Sequence, residues 1–163
     1  MKQHKQRGVA AVEMALIMMP MLILCFGIVE LGRALYMYNG LVKATRGAVR
    51  YMTTQSLSSP PTGETAASIR LKARSLAVCG ATDCSGKEPL TPGLVLAQVS
   101  VCDLLSCPTT HSNVSTGQGT ANLVSITIGG TGAAAYDFMS LMPWVIPNIT
   151  FAPVTTTMVS QYF

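Results

Sequence analysis

The sequence predicts an α+β protein. A long amino-terminal helix, apolar in its first half, leads to a small head in which a second helix packs on an antiparallel sheet of about three to four strands. Three observations carry this expectation. Met14 to Val29, between Glu13 and Glu30, holds no charged residue. Beyond it, apolar residues recur at alternating steps of four and three. A second, shorter helical pattern is followed by consecutive alternating segments, the order expected where a helix covers one face of a sheet. The chain divides on this reading into a basic leader (1–8), a long helix (9–53) and a head (54–163).

With Val9 to Val12 included, the apolar run reaches about twenty residues, the length a bilayer core requires. Composition agrees, since 49% apolar and 11% charged residues is lopsided for a soluble domain. Lys2, Lys5 and Arg7 cluster before the span. The positive-inside rule places that end in the cytoplasm and the head outside, although Arg33, Lys43, Arg46 and Arg50 weaken the asymmetry. A cleavable secretory signal is disfavoured, because "CFGIVELGRA" offers no small-x-small site.

Past the span, Leu31, Leu35, Tyr38, Val42, Thr45, Val49 and Met52 form a seam at the period of coiled-coil packing. It serves either a neighbouring helix or the chain's own head. From Val9 to Thr53 the rod would run about 67 Å at 1.5 Å per residue. Tyr36, Asn39, Lys43, Arg46 and Arg50 share another face, read as solvated or headgroup-facing. No aromatic stacking platform accompanies them, so no nucleic acid is expected as a partner.

"SLSSPPTGE" breaks the rod. Glu64 to Cys79 reads as the second helix, Leu94 to Cys102 and Asn122 to Ile128 as strands, and "NITFAPVTTTMVSQYF" as a closing strand. Pro153 places that last strand at an edge or a bulge.

Cys25 lies within the span. The other four cysteines form two matched pairs, Cys79 with Cys84 and Cys102 with Cys107 in sequence, each with four intervening residues. Four cysteines allow three disulfide connectivities. A tetrathiolate zinc site is the alternative, but zinc pairs more often have two intervening residues and an oxidising compartment favours disulfides. Disulfides and no metal are expected.

Nothing in the chain assembles a catalytic set. The histidines are His4, in the leader, and His111, in a polar loop; the acids of the head, Glu64, Asp83, Glu88, Asp103 and Asp137, are scattered. Gly130, Gly132 and Ala135 imitate a dinucleotide-binding turn, but no acid follows Asp137 to hold a ribose, and Pro143 and Pro147 cut short a crossover helix. A turn, no cofactor and no enzymatic activity are expected.

Glu13 is the costly residue. An acid inside an apolar span calls for a partner. One reading is an amino terminus, since a chain beginning at Val9 would place its own about one turn away; the other is a carboxylate snorkelling to the headgroups.

"KQRGVAAVEMALIMMPMLILCFGIVELGRALYMYNGLVKATRGAVRY" resembles the amino-terminal region of TadE-like pseudopilins of the tight-adherence, Flp-type pilus system. The likeness lies in the basic leader, Gly followed after four residues by Glu, a Pro within the span and "ELGR" at its end. "NLVSITI" and the final strand are similar to the family's closing strands. Met14 departs from the aromatic that usually follows the glutamate. The resemblance implies cleavage between Gly8 and Val9 by a prepilin peptidase, and Glu13 as the residue that docks the subunit. It further implies a structural subunit that primes, caps or joins an adhesive pilus and serves biofilm formation. Expected partners are the major Flp-type pilin, other minor pseudopilins, the inner-membrane assembly platform and the membrane itself. The expected location is the bacterial inner membrane, then the pilus or the exterior. The competing function is an uncleaved, single-pass sensor or binding module.

Two further features join the expected interface. Glu30 and Arg33, three apart on a helix, are read as an outer-interface pair for at most about 0.5 kcal/mol if exposed. "YDFMSLMPWVIP", with Trp144 at its centre, either folds over the chain's own core or docks on a pilin, a second pseudopilin or the outer leaflet.

Overall fold

The structure is a computed structural model that describes residues 6–161 apart from 118 and 131. The leader positions Lys2, His4 and Lys5 and the side chain of Arg7 lie outside the described residues. Helix α1, Gln6–Thr53, runs through Pro20 without a break. Among the described residues it is the one helix long and apolar enough to cross a membrane, and none of its apolar stretch is buried.

The chain forms two compact units. The first is the chain up to Tyr36 together with Phe138–Ile149; the second is Met37–Asp137 with Thr150–Phe163. The helix ends at Thr53, but the expected 53/54 boundary falls inside the second unit, because the carboxyl-terminal part of α1 belongs to that unit's core.

In the second unit, helix α2 (Ala66–Cys79) begins with a reciprocal cap. Thr65 Oγ1 accepts from the Ser68 amide and Ser68 Oγ accepts from the Thr65 amide. Gly80, in the left-handed conformation at φ 72°, ends it. Strands β1 (Val99–Cys102), β4 (Leu123–Ile128) and β7 (Val154–Val159) form an antiparallel sheet in the order β1-β4-β7. Between β1 and β4 lie the one-turn helix α3 (Pro108–His111) and a small ladder of β2 (Val114–Ser115) and β3 (Thr120–Ala121). Short strands β5 (Asp137–Phe138) and β6 (Ile149–Thr150) pair where the chain enters and leaves the first unit.

The register aligns Val101, Ile126 and Thr156 across the sheet. One face, with Val99, Val101, Val124, Ile126, Ile128 and Val154, joins Leu41, Ala48, Val49 and Met52 of α1 and Ile69, Ala73 and Ala77 of α2 in a single buried cluster. Thr45 and Thr156 share a 2.8 Å hydroxyl bond within it. The lower seam of α1 therefore docks its own head, while Leu31, Leu35 and Tyr38 stay exposed. Tyr36, Asn39, Lys43, Arg46 and Arg50 are exposed as their shared face requires.

The first strand is shorter than the Leu94–Cys102 expected from alternation. Leu96–Gln98 is a 3-10 turn, held by the Val95 amide donating to Gln98 Oε1 at 2.9 Å. The closing strand begins at Val154, directly after Pro153, and lies at the sheet edge, where a residue without an N–H costs least. The Gly-rich imitation of a nucleotide loop is the turn out of β4. Gly129 adopts φ 72°, and a Cβ on Gly130 would meet Thr127 Cγ2 at 2.4 Å.

Candidate functional site

The processing and docking candidates lie on the open surface of α1. Gly8 has nothing within 4 Å of where a Cβ would stand, and Val9 is exposed. Glu13 is exposed too, in a shallow groove lined otherwise by Ala10, Met14, Ile17, Met18 and Met21. Among the described residues no group bonds its carboxylate. One turn separates Glu13 from Val9 along the helix.

The Glu30–Arg33 pair sits at the other end of the apolar stretch, within the first unit. Arg33 Nη2 donates to Glu30 Oε2 at 3.0 Å and to the Met139 carbonyl at 2.6 Å, and its guanidinium lies 4.6 Å from the centre of the Phe138 ring. Glu30 Oε1 accepts from the Leu141 amide at 3.2 Å. The expected pair is present, but the small value for an exposed pair does not apply: the Glu30 side chain is 5% exposed, because the Phe138–Ile149 segment covers it.

Of the two readings of that segment, burial over the core holds only at its start. Tyr136 and Phe138 are buried, but Met139, Leu141 and Trp144 are 71%, 74% and 70% exposed. Two prolines, Pro143 and Pro147, keep the intervening residues from winding into a helix that would turn one face inward.

The cysteines form two local disulfides, Cys79–Cys84 and Cys102–Cys107, which closes the choice among three connectivities. Cys25 is free and exposed on α1. Among the described residues, the group close enough to share an ion is Cys102, Cys107 and His111, with ligand atoms within 4.8 Å, but its two sulfurs are joined to each other.

Two contacts escaped the sequence reading. Arg70 grips Asp103 through Nε to Oδ2 at 2.6 Å and Nη2 to Oδ1 at 2.9 Å, tying α2 to the Cys102–Cys107 loop. Burial raises the Asp103 pKa, but the Arg70 bonds and the Ser106 and Leu105 amides outweigh it and hold the carboxyl below its ordinary value. The spacing Asp103-x-x-Ser106 was a usable signal, since these residues bond each other reciprocally as a capping box does. His111, expected to be solvated, is half-buried: Nε2 lies 2.7 Å from Ser125 Oγ and Nδ1 2.7 Å from Thr110 Oγ1. Desolvation lowers its pKa, against the attraction of Asp103. The imidazole is oriented by two hydroxyls, not by a carboxylate.

Residues 8–50 match the family model described as TadE-like protein, from the open Gly8 through the Glu13 groove and the Glu30–Arg33 pair. Over this region the chain is similar to TadE-like proteins. No curated protein and no solved structure matches it significantly. That likeness is consistent with involvement in the Tad pilus system, whose components are the partners it suggests. Its single apolar helix is consistent with a single-pass membrane anchor.

Proposed function

We propose that this TadE-like protein is a minor pseudopilin. In this role it is a structural subunit that primes, caps or enters a tight-adherence pilus used in surface adhesion and biofilm formation. The observation that carries the reading is Glu13, exposed on an apolar helix with no partner among the described residues. An acid inside an apolar span calls for a partner, and here the partner arrives later. The amino group of Val9, freed when a membrane aspartyl prepilin peptidase cuts after Gly8, is such a partner, in this subunit or in a neighbour.

Cleavage removes Lys2, Lys5 and Arg7, so the formal charge falls from +4 to 4 − 3 = +1. The leader is the cytoplasmic anchor and the head lies outside; losing the anchor frees the helix to leave the bilayer for the fibre. The protein contacts the major Flp-type pilin, other minor pseudopilins and the inner-membrane platform, and acts by packing, without catalysing a reaction.

Mass spectrometry of the amino terminus, in cells that express the whole assembly system, tests this. A mature chain beginning at Val9 is expected. A full-length chain would favour an uncleaved sensor or binding module.

A further inference from the structure

We infer that Phe138–Ile149 is a membrane-interface loop, seated in the lipid of the leaflet at the carboxyl-terminal end of the α1 span. The inference requires that α1 span a bilayer, and it holds whether or not the chain is processed. Three observations carry it.

The first is depth. Val145 and Ile146 line one apolar groove with Ile23, Leu24, Ile28 and Leu31 of α1. Ile23 lies seven residues before Glu30, about 10 Å along the helix at 1.5 Å per residue. The loop thus lies beside uncharged helix that itself faces lipid, at the depth to which interfacial segments bury, about 5 to 10 Å.

The second is backbone accounting. Irregular backbone is tolerated at membrane depth where its polar groups are satisfied within the protein. The Ser140 amide donates to Asn148 Oδ1, Leu141 to Glu30, Met142 to Ser140 Oγ, and both Val145 and Ile146 to the Met142 carbonyl. Pro143 and Pro147 have no N–H to satisfy. Arg33 takes the Met139 carbonyl and pairs with Glu30, so the loop covers an ion pair at the edge of the span.

The third is the surface. Met139, Leu141 and Trp144 point outward from the unit whose helix carries the exposed apolar band, and Trp favours the boundary between acyl chains and headgroups. An apolar surface continuous with a lipid-facing helix shares that helix's solvent.

Trp144 is the sole tryptophan, so the native chain carries its own probe. Full-length protein is reconstituted into vesicles of phosphatidylethanolamine and phosphatidylglycerol containing lipids brominated near the glycerol end or near the methyl end of the acyl chains. Trp144 emission should lose most of its intensity to the shallow bromines, less to the deep ones, and little to aqueous iodide. Leu141→Asp, at an exposed position, should restore iodide access. Iodide quenching without bromolipid quenching in the wild type overturns the inference. So does shelter of Trp144 that arises only when other pilus proteins are added, which would give the surface to a protein. Vesicles from which alkaline carbonate strips the chain overturn the span and the loop together.

Discussion

Arg70 holds Asp103 by two parallel bonds, and the Asp103 side chain is fully buried while that of Arg70 is 24% exposed. Removing one partner strands the other. Asp103→Ala should destabilise the protein by about 3 kcal/mol or more, the usual cost of leaving one member of a buried pair. Arg70→Met with Asp103→Leu together should cost less than the single change. Denaturant melts of the full chain in detergent check the order. Because the folded Asp103 pKa lies below its ordinary 3.8, this contribution is present above that value and lost as pH falls through the folded pKa.

His111 gives a separate, higher window. Its folded pKa lies below 6.5, so the unfolded chain binds the proton first. Stability should be full above about pH 6.5 and decline as pH falls below it toward the folded value. His111→Asn should flatten that part of the pH profile while leaving the Asp103 window in place. Thermal melts across the pH range read both.

Each disulfide closes a loop with a sequence separation of 5. So short a loop constrains the unfolded chain by about 2 kcal/mol in the chain-entropy account. Replacing either pair by alanine should lower stability by about that amount without altering the fold, as a melt and a circular-dichroism spectrum would report.

Glu30 and Glu13 should separate fold from assembly. Glu30→Ala leaves the Leu141 amide without its acceptor and Arg33 without its countercharge, and should cost about 1 to 3 kcal/mol, read as faster proteolysis between residues 138 and 149. Glu13→Gln should fold and insert normally and be missing from the assembled pilus fraction, as immunoblotting of sheared fibres would show. Wild-type incorporation of Glu13→Gln would defeat the docking role.

Gly8 offers a clean test of processing, because its Cβ position is open and the fold makes no demand for glycine there. Gly8→Leu should accumulate as the full-length, membrane-bound chain. Normal trimming of that variant would exclude Gly8 as the residue before the cut.

The span was legible because its apolar run is uninterrupted, and the second helix and the three-stranded sheet because each rests on periodicity. The first strand was overextended since apolar residues recur from Leu94 to Val99, but Val95, Leu96 and Ala97 are all exposed where the chain makes a 3-10 turn. The Glu30 contact was illegible for a different reason. Its amide partner lies 111 residues away, and no local pattern announces a loop that returns to a helix. The exposure of Trp144 was hidden likewise, because hydrophobicity alone does not distinguish a core from a surface that meets lipid. The cysteine pairing needed coordinates, because four cysteines leave three connectivities open.

Leu41, Ala48, Val49 and Met52 of α1 are wholly buried in the core of the second unit. The head is consequently not a cassette. A chimera that joins it to another subunit's helix at Thr53 severs one wall of its own interior, whereas a junction near Tyr36 carries that wall along. A segment exchanged before that junction must still supply Glu30 and Arg33 to the returning loop, and a new head must bring the lower half of its stalk.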